Sequence, residues 1–188
     1  MVTGASRGIG AAAARALDSA GARVALVARS GTQLLEVAGE LDHDPVVLLG
    51  DLAEVAAPLV IERQALDALG SVDVLVNNAA AAVRLDAVDT DAAIIDEMLA
   101  VNVRAPLLLF ASLVSSMIEA GRGSINWIRP RCCNGRCRGA LTDVFAVFLI
   151  GGFSVVDPVG DTKRHPRGPP TLTKRFPNWS CRGSLRTS

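Results

Sequence analysis

No tyrosine occurs among the 188 residues, so no phenol is available as an acid or base in any reaction the chain runs. There is no cysteine before Cys132 and no lysine before Lys163. The cysteine-free first part reads as a protein of a reducing compartment, and the expected location is cytoplasmic. No basic-then-apolar leader stands before the first turn, so no secretory signal is expected. The longest uncharged apolar stretch of the first part, residues 105–118, is shorter than the roughly 20 residues of a membrane span, and no membrane partner is expected. The cysteines do not fall at a usual zinc spacing: Cys132 and Cys133 are adjacent, Cys137 follows, Cys181 is distant, and only His165 is near. No metal site is expected.

What is present divides at one point. The formal net charge is zero, yet residues 1–128 carry a net of −8 and residues 129–188 a net of +8. Six of the nine prolines and both lysines also lie in the second part. Half of the residues are apolar and mean hydropathy is positive, which excludes disorder over the whole chain.

Met1 and Val2 run into Thr3-Gly4-Ala5-Ser6-Arg7-Gly8-Ile9-Gly10, and this turn opens into an alanine-rich helix. Gly4 suits the backbone of a tight turn, Gly8 has no Cβ to block a phosphate, and Gly10 allows the helix to close on its strand. Ile9, Ala13, Ala16, Leu17 and Ala20 recur at helical spacing, which predicts an inward face, and Gly21 stops the helix. Residues 22–28 read as a strand covered on both faces. Leu34, Leu35, Ala38 and Leu41 mark a second helix, and 45–49 a third strand. Val55, Leu59, Leu66 and Leu69 mark a third helix, and 72–76 a fourth strand. Two helices follow, over about 90–102 with Ile94, Met98 and Val101 inward, and over 105–120. The latter is apolar nearly all round, so burial on more than one side is expected. Residues 124–128 read as a fifth strand.

This alternation predicts an α/β fold: a Rossmann-like, doubly wound parallel sheet over residues 1–128 that binds a dinucleotide at its strand ends. The sheet is expected to be incomplete, because only three residues precede Gly4 where a central strand of about five or six belongs. Loss of buried apolar residues there predicts marginal stability. Residues 129–188 read as an irregular basic tail containing Pro, Arg and Cys. Within it the run 144–156 fits a strand pair or a buried helix, and Gly151-Gly152 disfavours a long helix.

Four motifs then stand in order: the turn just given, Asp51-Leu52, Asn77-Asn78-Ala79-Ala80, and Asn102 within Val101-Asn102-Val103. Together they resemble the short-chain dehydrogenase/reductase family over residues 1–128. The resemblance implies that Gly4, Ser6, Gly8, Ile9 and Gly10 cradle the cofactor phosphates, that Asp51 bonds the adenine amine with Leu52 beside it, and that Asn78 and Ala79 line the cofactor. It implies that Asn77 ties strands together. Ala80 departs from the family's Gly. The substrate implied is a small carbonyl or alcohol, and the assembly a homo-oligomer, although much of the family's interface is unaccounted for. At the end of the second strand an acidic residue would select a ribose 2′-hydroxyl. Arg29 stands there instead, and Arg7 lies in the turn, so NADP is expected over NAD.

The family's catalytic residues are another matter. Asn102 matches the proton-relay Asn, but Arg129 and Pro130 stand where the family strand has serines, and Ser124 is too early in it. The family's Tyr and Lys would fall near Thr142 and Ala146, and Lys163 and Lys174 match no family position. The expectation is an oxidoreductase by ancestry that lacks turnover. The alternatives are a non-catalytic dinucleotide-binding module, or a partner-binding protein with a basic tail. Nucleic acid is the less favoured partner, since the tail lacks interleaved aromatics. A change of reading frame near Asn126 accounts at once for the shifts in charge, Pro, Cys and Arg. Resequencing the gene checks this: a Tyr-x-x-x-Lys encoded in the shifted downstream frame is expected, and its absence sinks the idea.

Overall fold

The structure, a computed structural model, describes residues 1–82 and 91–128, together with the backbones of two strands, Gly152–Val155 and Leu172–Arg175. The elements follow the alternation read from the sequence. They are β1 (Val2–Thr3), α1 (Gly8–Ser19), β2 (Ala25–Ala28), α2 (Gly31–Ala38), β3 (Val46–Leu49), α3 (Ala57–Leu69), β4 (Val74–Asn77), α4 (Ala92–Leu99), α5 (Ala105–Glu119) and β5 (Gly123–Trp127). β1 to β5 pair in parallel in the order β3-β2-β1-β4-β5. The order reverses at β1, which is where such sheets open a crevice at their carboxyl ends.

Strand alternation sorts the core into two layers. Ala25, Val27, Leu75 and Ile125 pack with Ile61 of α3 and with Leu109, Leu113 and Met117 of α5. Val2, Leu26 and Val76 pack on the other face with Ala11 and Ala14 of α1 and Leu34 and Val37 of α2. Both faces of the sheet are therefore covered by helices, as a parallel sheet requires.

Several helix faces differ from the sequence reading. Ile9 is 59% exposed, and α1 turns Gly10, Ala11, Ala14 and Asp18 inward. In an alanine-rich helix the larger residues are too few to fix the phase, and the seat of Gly10 against β1 sets it instead. In α2 Val37 is buried rather than Leu35, in α3 Ile61 and Ala65 rather than Leu59, and Val55 lies exposed before α3 begins. The two helices expected over 90–120 are joined through a π-helical turn, Ala100–Arg104, into one helix, Ala92–Glu119. At 28 residues it is long and apolar enough, by length and composition, to cross a membrane. It buries Leu109, Leu113 and Met117 in the core while Leu107 stays 44% exposed, so among the described residues it is buried along one face and not on more than one side.

The tail contributes to the sheet. β6 (Gly152–Val155) pairs antiparallel with β5, and β7 (Leu172–Arg175) antiparallel with β6. β6 falls at the end of the run 144–156, whereas β7 lies in a stretch read as irregular. The open edge of β5 supplies unpaired backbone groups, which template pairing whatever the local pattern. Arg129, Pro130, Cys132, Cys133, Cys137, Thr142, Ala146, Lys163, His165 and Cys181 lie outside the described residues.

Two buried groups make this fold sensitive to acid. The Met1 ammonium donates to the Val74 carbonyl at 2.7 Å, and burial lowers its pKa from 8.0 to about 5. Asp18, on the inward face of α1, accepts from the Asp42 and His43 amides at 3.0 Å each. The Asp42 amide foremost holds its carboxyl below the ordinary range. A base whose pKa is lower folded than unfolded leaves the unfolded chain binding more protons, so stability rises with pH between about 5 and 8.0. The full difference is worth about 4 kcal/mol. Asp18 works in the same direction at lower pH, its contribution being lost as the carboxylate is protonated. A cleft of about 310 Å³ beside Met1 leaves room for an acetyl group. N-terminal acetylation of the chain starting at Met1 is therefore expected to raise the melting temperature at pH 6 and flatten the slope above pH 5. An unchanged slope in thermal melts assigns the dependence to other groups.

The seat of α1 gives a second expectation. A Cβ on Gly10 would lie 2.2 Å from the Gly4 carbonyl oxygen and 2.4 Å from Asn78 Nδ2. Gly8 has nothing within 4 Å of its Cβ position and bears only the strain of φ +58°. Gly10→Ala is expected to cost about 3 kcal/mol or more in urea unfolding, and Gly8→Ala about 1–2 kcal/mol. Equal losses would contradict the packing role of Gly10.

Candidate dinucleotide site

The carboxyl ends of β1, β2, β3 and β4 open together into a cleft of about 620 Å³. Its floor is the turn between β1 and α1. Gly4 has φ +64° and Gly8 φ +58°, both in the left-handed region that favours glycine. The first turn of α1 has no side-chain cap, and Ser6, Arg7, Gly8 and Ile9 border the cleft beside it. Unpaired amides and the positive end of the helix dipole therefore face the opening, the combination that receives an anion. This is the fit a pyrophosphate needs: a floor without side-chain bulk, and donors rather than acceptors.

Asn78 shapes that floor. Its Nδ2 donates to the carbonyls of Thr3 and Gly4, each at 3.1 Å. Thr3, fully buried, accepts at its hydroxyl from the Asn78 and Ala79 amides at 3.0 and 3.1 Å, and donates to the Val76 carbonyl at 3.3 Å. The strand-tying role expected of Asn77 thus belongs to Asn78, which lines the cleft as well. Asn77 is buried, and its side-chain amide has no hydrogen-bond partner among the described residues. The pleat explains the exchange: Asn77 points into the α3–α5 side of the sheet, while Asn78, just past the strand end, reaches sideways to β1.

Arg29 and Asp51 form the far wall. The Gly50 amide donates to the Ala28 carbonyl at 3.2 Å, which brings the two strand ends side by side. Asp51 Oδ1 accepts from the Ala53 amide at 2.9 Å, and Oδ2 lies 3.6 Å from Arg29 Nη1. Leu52, buried beneath them, lines the same wall, and Ala79 lines the opposite one. Gly10 lies under the floor rather than in the cleft.

Asn102 does not border the opening. From the π-helical turn its Nδ2 donates to the Ala81 carbonyl at 2.8 Å, and its Oδ1 accepts from the Ala81 amide at 2.9 Å. Both atoms bond the backbone of one residue, so the side chain fixes the loop after β4. Arg104 performs the matching service two residues on, donating from Nη2 to the Ala53 carbonyl beside Asp51. Thr3 and Arg104 were not singled out by sequence reasoning. A hydroxyl in an otherwise apolar central strand was the available signal for Thr3, and nothing in the local sequence marked Arg104. Ser124, set aside as too early in its strand, accepts from Asn126 Nδ2 at 3.0 Å, which leaves its hydroxyl a local structural partner.

The family model for short chain dehydrogenases matches residues 1–129. Dehydrogenase/reductase SDR family member 7B of Rattus norvegicus is 34% identical over 134 residues, covering 66% of this chain and 41% of that protein. Carbonyl reductase [NADPH] 2 of Sus scrofa is 37% identical over 122 residues, covering 64% of this chain and 48% of that one. The chain therefore spans less than half the length of these two curated relatives. A metagenomic short-chain oxidoreductase solved in complex with NADP superposes with a TM-score of 0.69 at 39% identity, over 77% of this chain and 67% of that one. The ordered motifs, the reversed strand order and these matches agree: the chain belongs to the short-chain dehydrogenase family of oxidoreductases.

Proposed function

We propose that this chain binds NADP(H) in the cleft at its strand ends and does not itself turn over a carbonyl or alcohol substrate. The observation that carries the binding reading is the floor of the cleft, where Gly4 and Gly8 stand against an uncapped helix N-terminus. Gly4, Ser6, Gly8 and Ile9 would hold the pyrophosphate, with Gly10 beneath them. Asp51 and Leu52 would hold the adenine, with Asn78 and Ala79 along the remaining wall. Preference for the 2′-phosphate is assigned to Arg29 and Arg7, because no acidic residue ends β2 and both arginines border the cleft. The NADP-bound metagenomic relative and the NADPH-named pig reductase support this choice.

The cofactor, when bound, supplies the hydride. Reduction of a carbonyl also needs a proton at the developing alkoxide, and in this family a Tyr supplies it beside a Lys and a Ser. The chain has no Tyr at all. Asn102 keeps the family position, but its side chain is committed to Ala81. A dinucleotide-binding module is thus the reading preferred over an active reductase.

A titration and a turnover assay check both halves. Fluorescence titration of the purified chain is expected to give NADPH binding about tenfold or more tighter than NADH, the scale of a charge-assisted phosphate contact. Mixed aldehyde and ketone substrates are expected to cause no NADPH oxidation above the protein-free rate. Equal affinities overturn the 2′-phosphate assignment, and measurable turnover overturns the non-catalytic one.

A further inference from the structure

We infer that Arg104 is a positioning residue that ties the two sides of the cleft together, so that a ligand at the adenosine end orders the loop after β4. This rests on the dinucleotide reading above. The π-helical turn that carries Arg104 makes three connections. Val101, buried in that turn, lines the cleft itself. Asn102 holds the backbone of Ala81 through both side-chain atoms, at 2.8 and 2.9 Å. Arg104 donates from Nη2 to the Ala53 carbonyl, and the Ala53 amide donates in turn to Asp51 Oδ1 at 2.9 Å. A chain of hydrogen bonds thus runs from Asp51 to Ala81 through a single turn of one helix. The sheet offers no shorter route, because β2 and β1 lie between the strands that Asp51 and Ala81 follow.

Arg104 suits this task for a physical reason. Its side chain is part-buried, and its Nε is buried without a hydrogen-bond partner among the described residues. The Ala53 carbonyl is therefore the acceptor on which the guanidinium depends, and losing it would leave a poorly solvated charge. Ala53 and the turn accordingly move together. The turn is closed by a bond from the Ala105 amide to the Ala100 carbonyl, five residues back, a pattern rare in helices and frequent at functional sites. A ligand seated against Asp51 and Leu52 fixes Ala53. Arg104 then fixes the turn, and the turn holds Asn102 against Ala81. Ala79, Ala80, Ala81 and Ala82 border the same cleft, so the rest of the dinucleotide meets a wall already in place. The coupling is reciprocal, as any linkage between two sites must be.

Amide hydrogen exchange, read by NMR on the full chain with and without saturating 2′,5′-ADP, tests the tie. This probe carries the adenosine end of the cofactor and lacks the nicotinamide. In the wild type the Ala53 and Ala81 amides are both expected to slow by about fivefold or more. Arg104→Gln, too short to reach the Ala53 carbonyl, is expected to bind 2′,5′-ADP about tenfold more weakly. At saturation its Ala53 amide should still slow, whereas its Ala81 amide should slow by less than about twofold. Arg104→Lys can still donate to that carbonyl and is expected to restore most of the slowing at Ala81, a rescue that a merely structural arginine would not give. Circular dichroism checks that each variant is folded, and Arg104→Met, which keeps the buried stem, replaces the Gln variant if that one unfolds.

Loss of the Ala81 response in Arg104→Gln, with its return in Arg104→Lys, supports the tie. Equal slowing of Ala81 in the wild type and Arg104→Gln means that the ligand touches this loop directly, and overturns it. Slowing of Ala53 without Ala81 in the wild type also overturns it, as does binding of NADPH with none of 2′,5′-ADP. Each of these three results leaves the dinucleotide reading standing. Failure of both NADPH and 2′,5′-ADP to bind the wild-type chain overturns that reading and this inference with it.

Discussion

Everything at the mouth of the sheet depends on the knot between Thr3 and Asn78. β1 is only two residues long, too short for a ladder to fix the central strand by itself. Five side-chain hydrogen bonds among Thr3, Gly4, Val76, Asn78 and Ala79 do this instead. The bond from Thr3 to Val76 is buried and the other four are part-buried, so losing one member leaves polar groups poorly satisfied. The same knot explains why Gly10 has no side chain: the space its Cβ would take is occupied by the Gly4 carbonyl and the Asn78 amide. One interaction thus seats α1, holds β1 against β4 and gives the phosphate floor its shape.

The walls are held by the long helix rather than by the sheet. The π-helical turn at Ala100–Arg104 carries two side chains that reach in different directions. Asn102 grips Ala81 after β4 and Arg104 grips Ala53 after β3. The two loops leave β3 and β4, which are separated in the sheet by β2 and β1, so one helix ties the two sides of the cleft together. A regular α-helix could not place these groups in the same way, because the wider π turn rotates the face presented to the loops. The cleft is therefore a composite of glycine turns from the strands and a staple from one helix.

Much of this was legible in the sequence, and the parts that were not have specific causes. The five parallel strands were readable because each is a short apolar run bounded by Gly, Pro or polar residues. The turn was readable because spacing in a βαβ frame restricts where strand ends fall, whereas Asp51, Asn78 and Asn102 were singled out through the family resemblance, and Asn102 does not border the cleft. The phase of α1 was not, since alanines carry little directional information and Gly10, rather than Ile9, decides the inward face. The exchange between Asn77 and Asn78 was hidden because two adjacent identical residues differ only in which side of the pleat they occupy. The ion pair of Arg29 with Asp51 was hidden for another reason: the two residues lie on separate strands, and only the β2–β3 register brings them together. The continuity of α4 with α5 was lost at Pro106, whose missing amide suggests a break but is harmless beside a π turn.

The arrangement also separates binding from chemistry along the chain. The residues bordering the cleft run from Gly4 to Val101, and the staple from Asn102 to Arg104 completes its support. All of them precede β5, and so precede the change in composition that begins at Arg129. The proton donor of the family belongs beyond β5, in the stretch where this sequence offers no Tyr. On the proposed reading a chain of this kind keeps a cofactor cleft while lacking reaction chemistry, and the converse could not arise. A proton donor has no use without a positioned hydride source, whereas the cleft needs nothing downstream of β5 to set its floor. The dependence runs one way because the floor is fixed locally, by β1, α1 and β4, within the first 82 residues.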